Sequence, residues 1–218
     1  MNYLNLAKHS SFFKDFELMD FNALLRCLSI RIKVYKAGEI IEYEGNIAKN
    51  AYLTLSGKTR TALIDENGKA IPCHDYSKDM IFGLEYDSLK DNAYKEEFFA
   101  VEDSVVLICD LHKLLNPCEN YCPRHRILVK KCIKELSLAH DSSKQRIIEL
   151  GQSKTRDKVL TYLSNNLPRA NHEYQIPYNR QELADYLGVE RSALSACLSD
   201  LKKEGLIDFN KSKFKRIK

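Results

Sequence analysis

The run Asn179-Arg180-Gln181-Glu182-Leu183-Ala184-Asp185-Tyr186-Leu187-Gly188-Val189-Glu190-Arg191-Ser192-Ala193-Leu194-Ser195 carries more structural information than any other part of this chain. Asn179 and Glu182 have the spacing of a capping box, in which the Asn side chain accepts from the Glu182 amide and the Glu182 carboxylate accepts from the Asn179 amide. Leu183, Ala184 and Leu187 then share an inward face. Gly188 ends the helix, because a left-handed residue costs glycine little. A second helix starts within three residues, with Leu194, Cys197, Leu198 and Leu201 at the spacing of a buried face. Two short helices, a small alanine where they touch and a glycine turn between them predict a helix-turn-helix. Its outer face carries Arg191, Ser192, Ser195, Ala196, Ser199 and Lys202. Such short or basic groups fit a major groove, and Arg191 in the first turn has the fork that matches guanine O6 and N7.

Downstream, Gly205-Leu206-Ile207-Asp208-Phe209, a turn at Asn210-Lys211-Ser212-Lys213, and Phe214-Lys215-Arg216-Ile217 form a hairpin with basic tips. As a wing it would lay Lys211 and Lys213 along the phosphate backbone, adding affinity that falls with salt but no choice of sequence. Charge agrees: from Gly151 onward thirteen Lys and Arg face eight Asp and Glu, a balance of +5 that leaves −1 for the first 150 residues. The residues assigned to double-stranded DNA are Arg180, Gln181, Arg191, Ser192, Ser195, Ser199, Lys202, Lys211 and Lys213.

Upstream, the pattern is helical from Pro123 to about Leu150, with Ile127, Leu128, Cys132, Ile133, Leu136 and Ala139 three or four residues apart. That stripe needs a partner, either its own domain or a second copy of the chain. A joint is expected near Leu150-Gly151-Gln152-Ser153. Between Ile32 and Cys109 the texture is different. Glycines at 38, 45, 57, 68 and 83 punctuate short segments rich in Ile, Val, Tyr, Phe and Thr, which indicates a β-sandwich or barrel. Asp65-Glu66-Asn67-Gly68 is expected to be a hairpin loop, and Ser104–Cys109, continuously apolar after its serine, a central strand. Leu18, Phe21, Leu24, Leu25 and Leu28 predict short helices ahead of the strands.

A hydrophobic content of 44% with 29% charged residues fits an ordinary globular protein. The longest aliphatic run, Val105–Cys109, is far below the roughly 20 residues of a membrane span, and Met1-Asn2-Tyr3-Leu4 opens no signal peptide. The expectation is a cytoplasmic protein without a membrane partner. Its seven cysteines are an odd set whose default state is reduced.

Over nearly its whole length the chain resembles the Crp/Fnr (catabolite activator protein) superfamily of transcription regulators. Gly38-Glu39-Ile40-Ile41-Glu42-Tyr43-Glu44-Gly45 and Tyr52-Leu53-Thr54-Leu55-Ser56-Gly57 are similar to the opening β-roll signatures, and Ile81-Phe82-Gly83 to the glycine of the ligand-binding turn. Arg180–Ala184 and Gly188–Ser195 resemble the family's helix-turn-helix. The resemblance implies an α+β fold: an antiparallel, cyclic-nucleotide-binding-like β-roll over 1–115, a dimerisation helix over 116–150 and a winged helix-turn-helix over 151–218. It implies a homodimer on a palindromic operator, with RNA polymerase as a partner and sensor state altering recognition-helix spacing.

Three departures matter. Family members that bind cyclic nucleotides use Gly-Glu-Leu followed by Arg-Ser/Thr-Ala, whereas this chain has Gly83-Leu84-Glu85 and then Tyr94-Lys95-Glu96-Glu97-Phe98. Lys95 is the candidate cation, Glu96 is acidic where a hydroxyl is wanted, and carboxylates repel a phosphate. Gly83, Leu84, Glu85, Lys95 and Glu96, with Ser142 and Ser143 from the long helix, are therefore candidates for a degenerate effector pocket or one for another small molecule, not for a cyclic nucleotide. The family's iron–sulfur sensors cluster cysteines near the N-terminus, where this chain has only Cys27; Cys118, Cys122 and Cys132 are the nearest cluster, too few and too widely spaced for zinc or iron–sulfur. No cofactor is expected, and free thiols are the reading for those three. Finally, Ala196 stands where many relatives have arginine, which changes operator preference. A cupin-like enzyme would need two close histidines and a glutamate, and His74, His112 and His125 have no such partners. A nucleotide-binding module acting on a partner protein would not need the wing.

Overall fold

The computed structural model describes residues 3–88, 92–116, 122–167 and 173–217. Two compact units divide the chain, Met1–Ala139 and His140–Lys218.

The first unit opens with α1 (Tyr3–Lys8) and α2 (Leu18–Cys27). Phe12, Phe13, Phe16, Phe21, Leu24 and Leu28 bury themselves from this region into the unit's core. Eight strands follow among the described residues: β1 (Arg31–Tyr35), β2 (Ile40–Glu42), β3 (Asn50–Ser56), β4 (Thr59–Ile64), β5 (Ala70–Tyr76), β6 (Ile81–Phe82), β7 (Glu97–Ala100) and β8 (Ser104–Asp110). They form two antiparallel sheets in the orders β1-β8-β3-β6 and β2-β7-β4-β5. The apolar run around Val105–Cys109 lies between β1 and β3, as its unbroken hydrophobicity demands. Gly57, at φ 80°, turns the chain from β3 to β4 where a Cβ would collide with Ser104 and the Asp103 carbonyl.

The hairpin expected at Asp65–Gly68 joins β4 to β5, with Asp65 Oδ1 accepting from the amides of Asn67 and Lys69 at 2.9 and 2.8 Å. A bulge between Thr61 and Ala62 shifts the ladder by one residue and sets Arg60 opposite Asp75. Pro72 lies beside this bulge on the edge strand β5, where a missing amide is tolerated. Between the two sheets, Tyr52 and Phe82 of one meet Tyr76 and Phe98 of the other, with Tyr86 and Tyr94 packed alongside. Ring centroids are 5.3 Å apart for Tyr52–Phe82, 4.6 Å for Tyr76–Phe82 and 5.4 Å for Phe82–Phe98. All six rings are buried.

After α3 (Leu111–Leu115), α4 runs Pro123–Leu150 as the helical pattern foretold. The stripe read as one face divides into two. Leu128 and Cys132 are fully buried in the first unit's core with Leu136 packed beside them, while Ile127, Ile133 and Leu138 are 45%, 58% and 54% exposed.

The second unit holds α5 (Thr155–Asn166), α6 (Arg180–Leu187), α7 (Arg191–Lys203), and a sheet of β9 (Tyr174–Gln175), β10 (Ile207–Asn210) and β11 (Lys213–Arg216) in the order β10-β11-β9. Its core joins Val159, Tyr162 and Leu163 to Leu183, Leu187, Leu194, Leu198, Leu201 and Phe214. β9 was not foreseen.

Candidate nucleic-acid interface

The capping box is formed as the residues require. Asn179 Oδ1 accepts from the Gln181 and Glu182 amides at 2.9 and 3.0 Å, and the Asn179 amide donates to Glu182 Oε2 at 2.7 Å. Gly188 closes α6 in the left-handed region at φ 60°. α7 then starts at Arg191 and is anchored by Leu194, Leu198 and Leu201, all fully buried. A bidentate pair from Arg156 on α5 to Glu204, at 2.8 and 2.5 Å, holds the C-terminal end of α7 and keeps the Glu204 carboxyl below its ordinary range. The second helix is thus fixed at both ends to a rigid core.

On its outer side Arg191, Ser192, Ala196 and Ser199 are exposed and Ser195 is half-buried. The Ser199 hydroxyl donates to the Ser195 carbonyl at 2.9 Å and keeps its acceptor capacity. Lys211 occupies the hairpin tip at φ 55°, and both it and Lys213 are exposed. Gln181 is exposed, with Nε2 donating to Asp185 Oδ1 at 3.0 Å. Lys202 donates to Asp208 at 2.5 Å and holds that carboxyl below its ordinary range. Arg180, half-buried, lies against Phe209 and Phe214 of the wing. An open cavity of about 380 Å³ beside the wing is lined by Lys202, Lys213 and Lys215, with Glu173 and Asp208. Sequence reasoning passed over Asp208, Phe209 and Phe214; their alternation along the wing was visible, but their engagement with Arg180 and Lys202 depends on packing between hairpin and helices.

Residues 157–218, which hold most of α5, both helices of the motif and the wing, match the family model described as the Crp-like helix-turn-helix domain. The C-terminal part of the chain therefore carries a Crp-like helix-turn-helix domain. Solved structures resemble it over most of its length: FixK2 from Bradyrhizobium japonicum (TM-score 0.68, 19% identity, 87% of this chain and 93% of that one), a CooA mutant from Carboxydothermus hydrogenoformans (0.72, 20%, 90% and 86%), and the c-di-GMP responsive regulator CLP from Xanthomonas campestris (0.71, 14%, 93% and 100%). At these identities the likeness is one of fold. No curated protein matches the sequence.

In the first unit, Gly83 takes φ 77° and is buried with Leu84, which belongs to the core. Glu85 begins a short 3-10 turn (Glu85–Ser88), and Lys95 is exposed beside the half-buried Glu96. Although Glu85 as a residue reaches solvent, the protein around its carboxyl raises it above the ordinary range, and the Glu96 charge adds to this. Ser142 and Ser143 lie on α4 within the second unit. Cys118 is outside the described residues. Cys122 and Cys132 are free thiols, and burial pushes Cys132 up to about 12, far from the reactive thiolate range. Among the described residues no group of three His, Cys, Asp or Glu is placed to hold a metal, and no helix is long and apolar enough to cross a membrane.

Proposed function

We propose that this protein is a Crp/Fnr-type DNA-binding transcription regulator that works in the cytoplasm as a homodimer on a two-fold symmetric operator, with RNA polymerase as a further partner and an unidentified small-molecule or redox signal as its input. The observation that carries the reading is the outer face of α7: Arg191 and Ser192 exposed in the first turn of a helix whose opposite face is fully buried. Arg191 would read a guanine bidentately, Ser192 and Ser195 would reach bases or phosphates, and Lys211 and Lys213 would follow the backbone. Exposed Ile133 and Ile147 on α4 supply apolar surface for a second copy. The six rings between the sensor sheets, and the Glu85–Glu96 pair, favour a signal other than a cyclic phosphate.

Selection of bound duplexes from a random pool by the full-length protein tests the proposal. An inverted repeat with half-sites about one helical turn apart is expected. Enrichment of a single unrepeated half-site, or of nothing above background, would overturn it.

A further inference from the structure

Phe209 and Phe214 face each other in the wing register, with ring centroids 5.5 Å apart and planes 24° from parallel, so β10 and β11 present one aromatic platform. Two cations from two different helices rest on it. From the first residue of α6, the Arg180 guanidinium stands 5.1 Å from the Phe209 centroid and 5.6 Å from that of Phe214, and its Nη2 approaches the Lys211 carbonyl at 3.5 Å. From the last turn of α7, the Lys202 ammonium stands 5.3 Å from the Phe209 centroid, pairs with Asp208 at 2.5 Å and reaches the Phe209 carbonyl at 3.4 Å.

A group that meets a phosphate directly is expected to stand clear in solvent with its charge unspent. Arg180 is instead half-buried, and burial together with the neighbouring Arg191 charge presses its guanidinium below the ordinary value. Lys202 is half exposed, and its ammonium is paired with Asp208 rather than standing alone. β11 pairs with β9, and Ile207 and Phe214 enter the unit's core, which anchors the base of the hairpin; both helices of the motif also hold the outer ring, Phe209.

We propose that Arg180 and Lys202 are positioning residues that fix the wing to the helix-turn-helix through Phe209, and that Lys211 and Lys213, not these two, meet the phosphate backbone. The inference rests on the DNA-binding reading above. Its mechanism is preorganisation: a wing already set at a fixed angle to α7 loses less freedom on binding than a loose one.

The test is fluorescence anisotropy of full-length protein with a labelled duplex taken from the selection, across a salt series. Four variants are compared: Arg180→Gln, the charge-neutral Phe209→Leu, the double variant Lys211→Ala with Lys213→Ala, and that double variant combined with Arg180→Gln. Arg180→Gln and Phe209→Leu should each weaken binding by about tenfold. Once the wing lysines are gone, Arg180→Gln should cost less than about twofold, because its effect travels through them. Wild-type affinity in Phe209→Leu would overturn the proposal. So would an equal loss from Arg180→Gln in both backgrounds with a salt slope reduced by about 0.9, the mark of a phosphate contact of its own. Failure of the unmodified protein to bind any duplex would instead remove the DNA-binding reading itself.

Discussion

Arg60 is a fully charged side chain with only 2% of its surface exposed, and it is held by Asp75 through Nε to Oδ1 at 2.5 Å and Nη2 to Oδ2 at 3.1 Å. Such a bidentate pair is geometrically specific, and removing the carboxylate takes away the main compensation of a buried charge. Asp75→Ala should therefore destabilise the first unit by about 3–5 kcal/mol in urea unfolding, far more than breaking the exposed Lys36–Asp103 pair. Similar losses at the two sites would show that Arg60 finds another partner. The pairing was not legible in the sequence. Counting back from the hairpin loop sets His74 opposite Arg60, and only the bulge between Thr61 and Ala62 moves Asp75 into place. Arg191, by contrast, was legible, because its exposure follows from the spacing of Leu194, Leu198 and Leu201 alone. Replacing it with Ala should cost about 1–3 kcal/mol on the selected operator and relax choice at one base pair; equal losses on selected and random duplexes would deny it a base contact.

Among the elements, α4 shows where periodicity stops informing. Its apolar residues are spaced for a helix, and the helix is there, but a spacing pattern does not say which of two adjoining faces meets which partner. Leu128 and Cys132 face the core, Ile127 and Ile133 do not, and the sequence offered them as one stripe. Two-residue β9 escaped notice for a simpler reason: Tyr174–Gln175 is too short to alternate. Near its C-terminal end α4 also buries Glu149 against α5, where Asn165 Nδ2 donates to Oε1 at 3.0 Å. Burial raises the Glu149 carboxyl above its ordinary range, against hydrogen bonds from Asn165 and Tyr186 and the charge of Arg146, whose guanidinium lies 4.4 Å from the Tyr186 ring centroid. A raised carboxyl in the folded state means that the fold prefers the protonated form. Its contribution to stability is present below the unfolded value of about 4.3 and is lost as pH rises through the folded value. Glu149→Gln should accordingly melt above the parent at pH 8, with the gap closing as pH falls toward about 4.3. A gap that is constant across pH in calorimetry would assign the effect to packing.

At the scale of the whole molecule, order along the chain was the most legible property: strands, then a long helix, then a basic helix-turn-helix with its wing, each announced by its own spacing and its own turn residues. What lies between sheets or between hairpin and helix was not, because those contacts join residues far apart in sequence. Assembly is open to a direct measurement. Ile133→Glu places a charge on the exposed face of α4 and should halve the sedimenting mass while leaving the first unit's melting temperature unchanged. Leu136→Glu touches the core and should lower that temperature instead. An unaltered mass for Ile133→Glu would mean that any dimer closes through other surfaces.

The six rings packed between the first unit's two sheets also set a limit on what could enter there. A guest seated in that space must first turn one ring out into water, which costs about 3 kcal/mol for a buried Phe and weakens apparent affinity roughly a hundredfold. A compound with micromolar affinity for the emptied chamber would then need about 0.1 mM to occupy it. A ligand present well below that concentration would leave the space filled by its own rings, and a variant trimmed of Phe98 would lower the threshold.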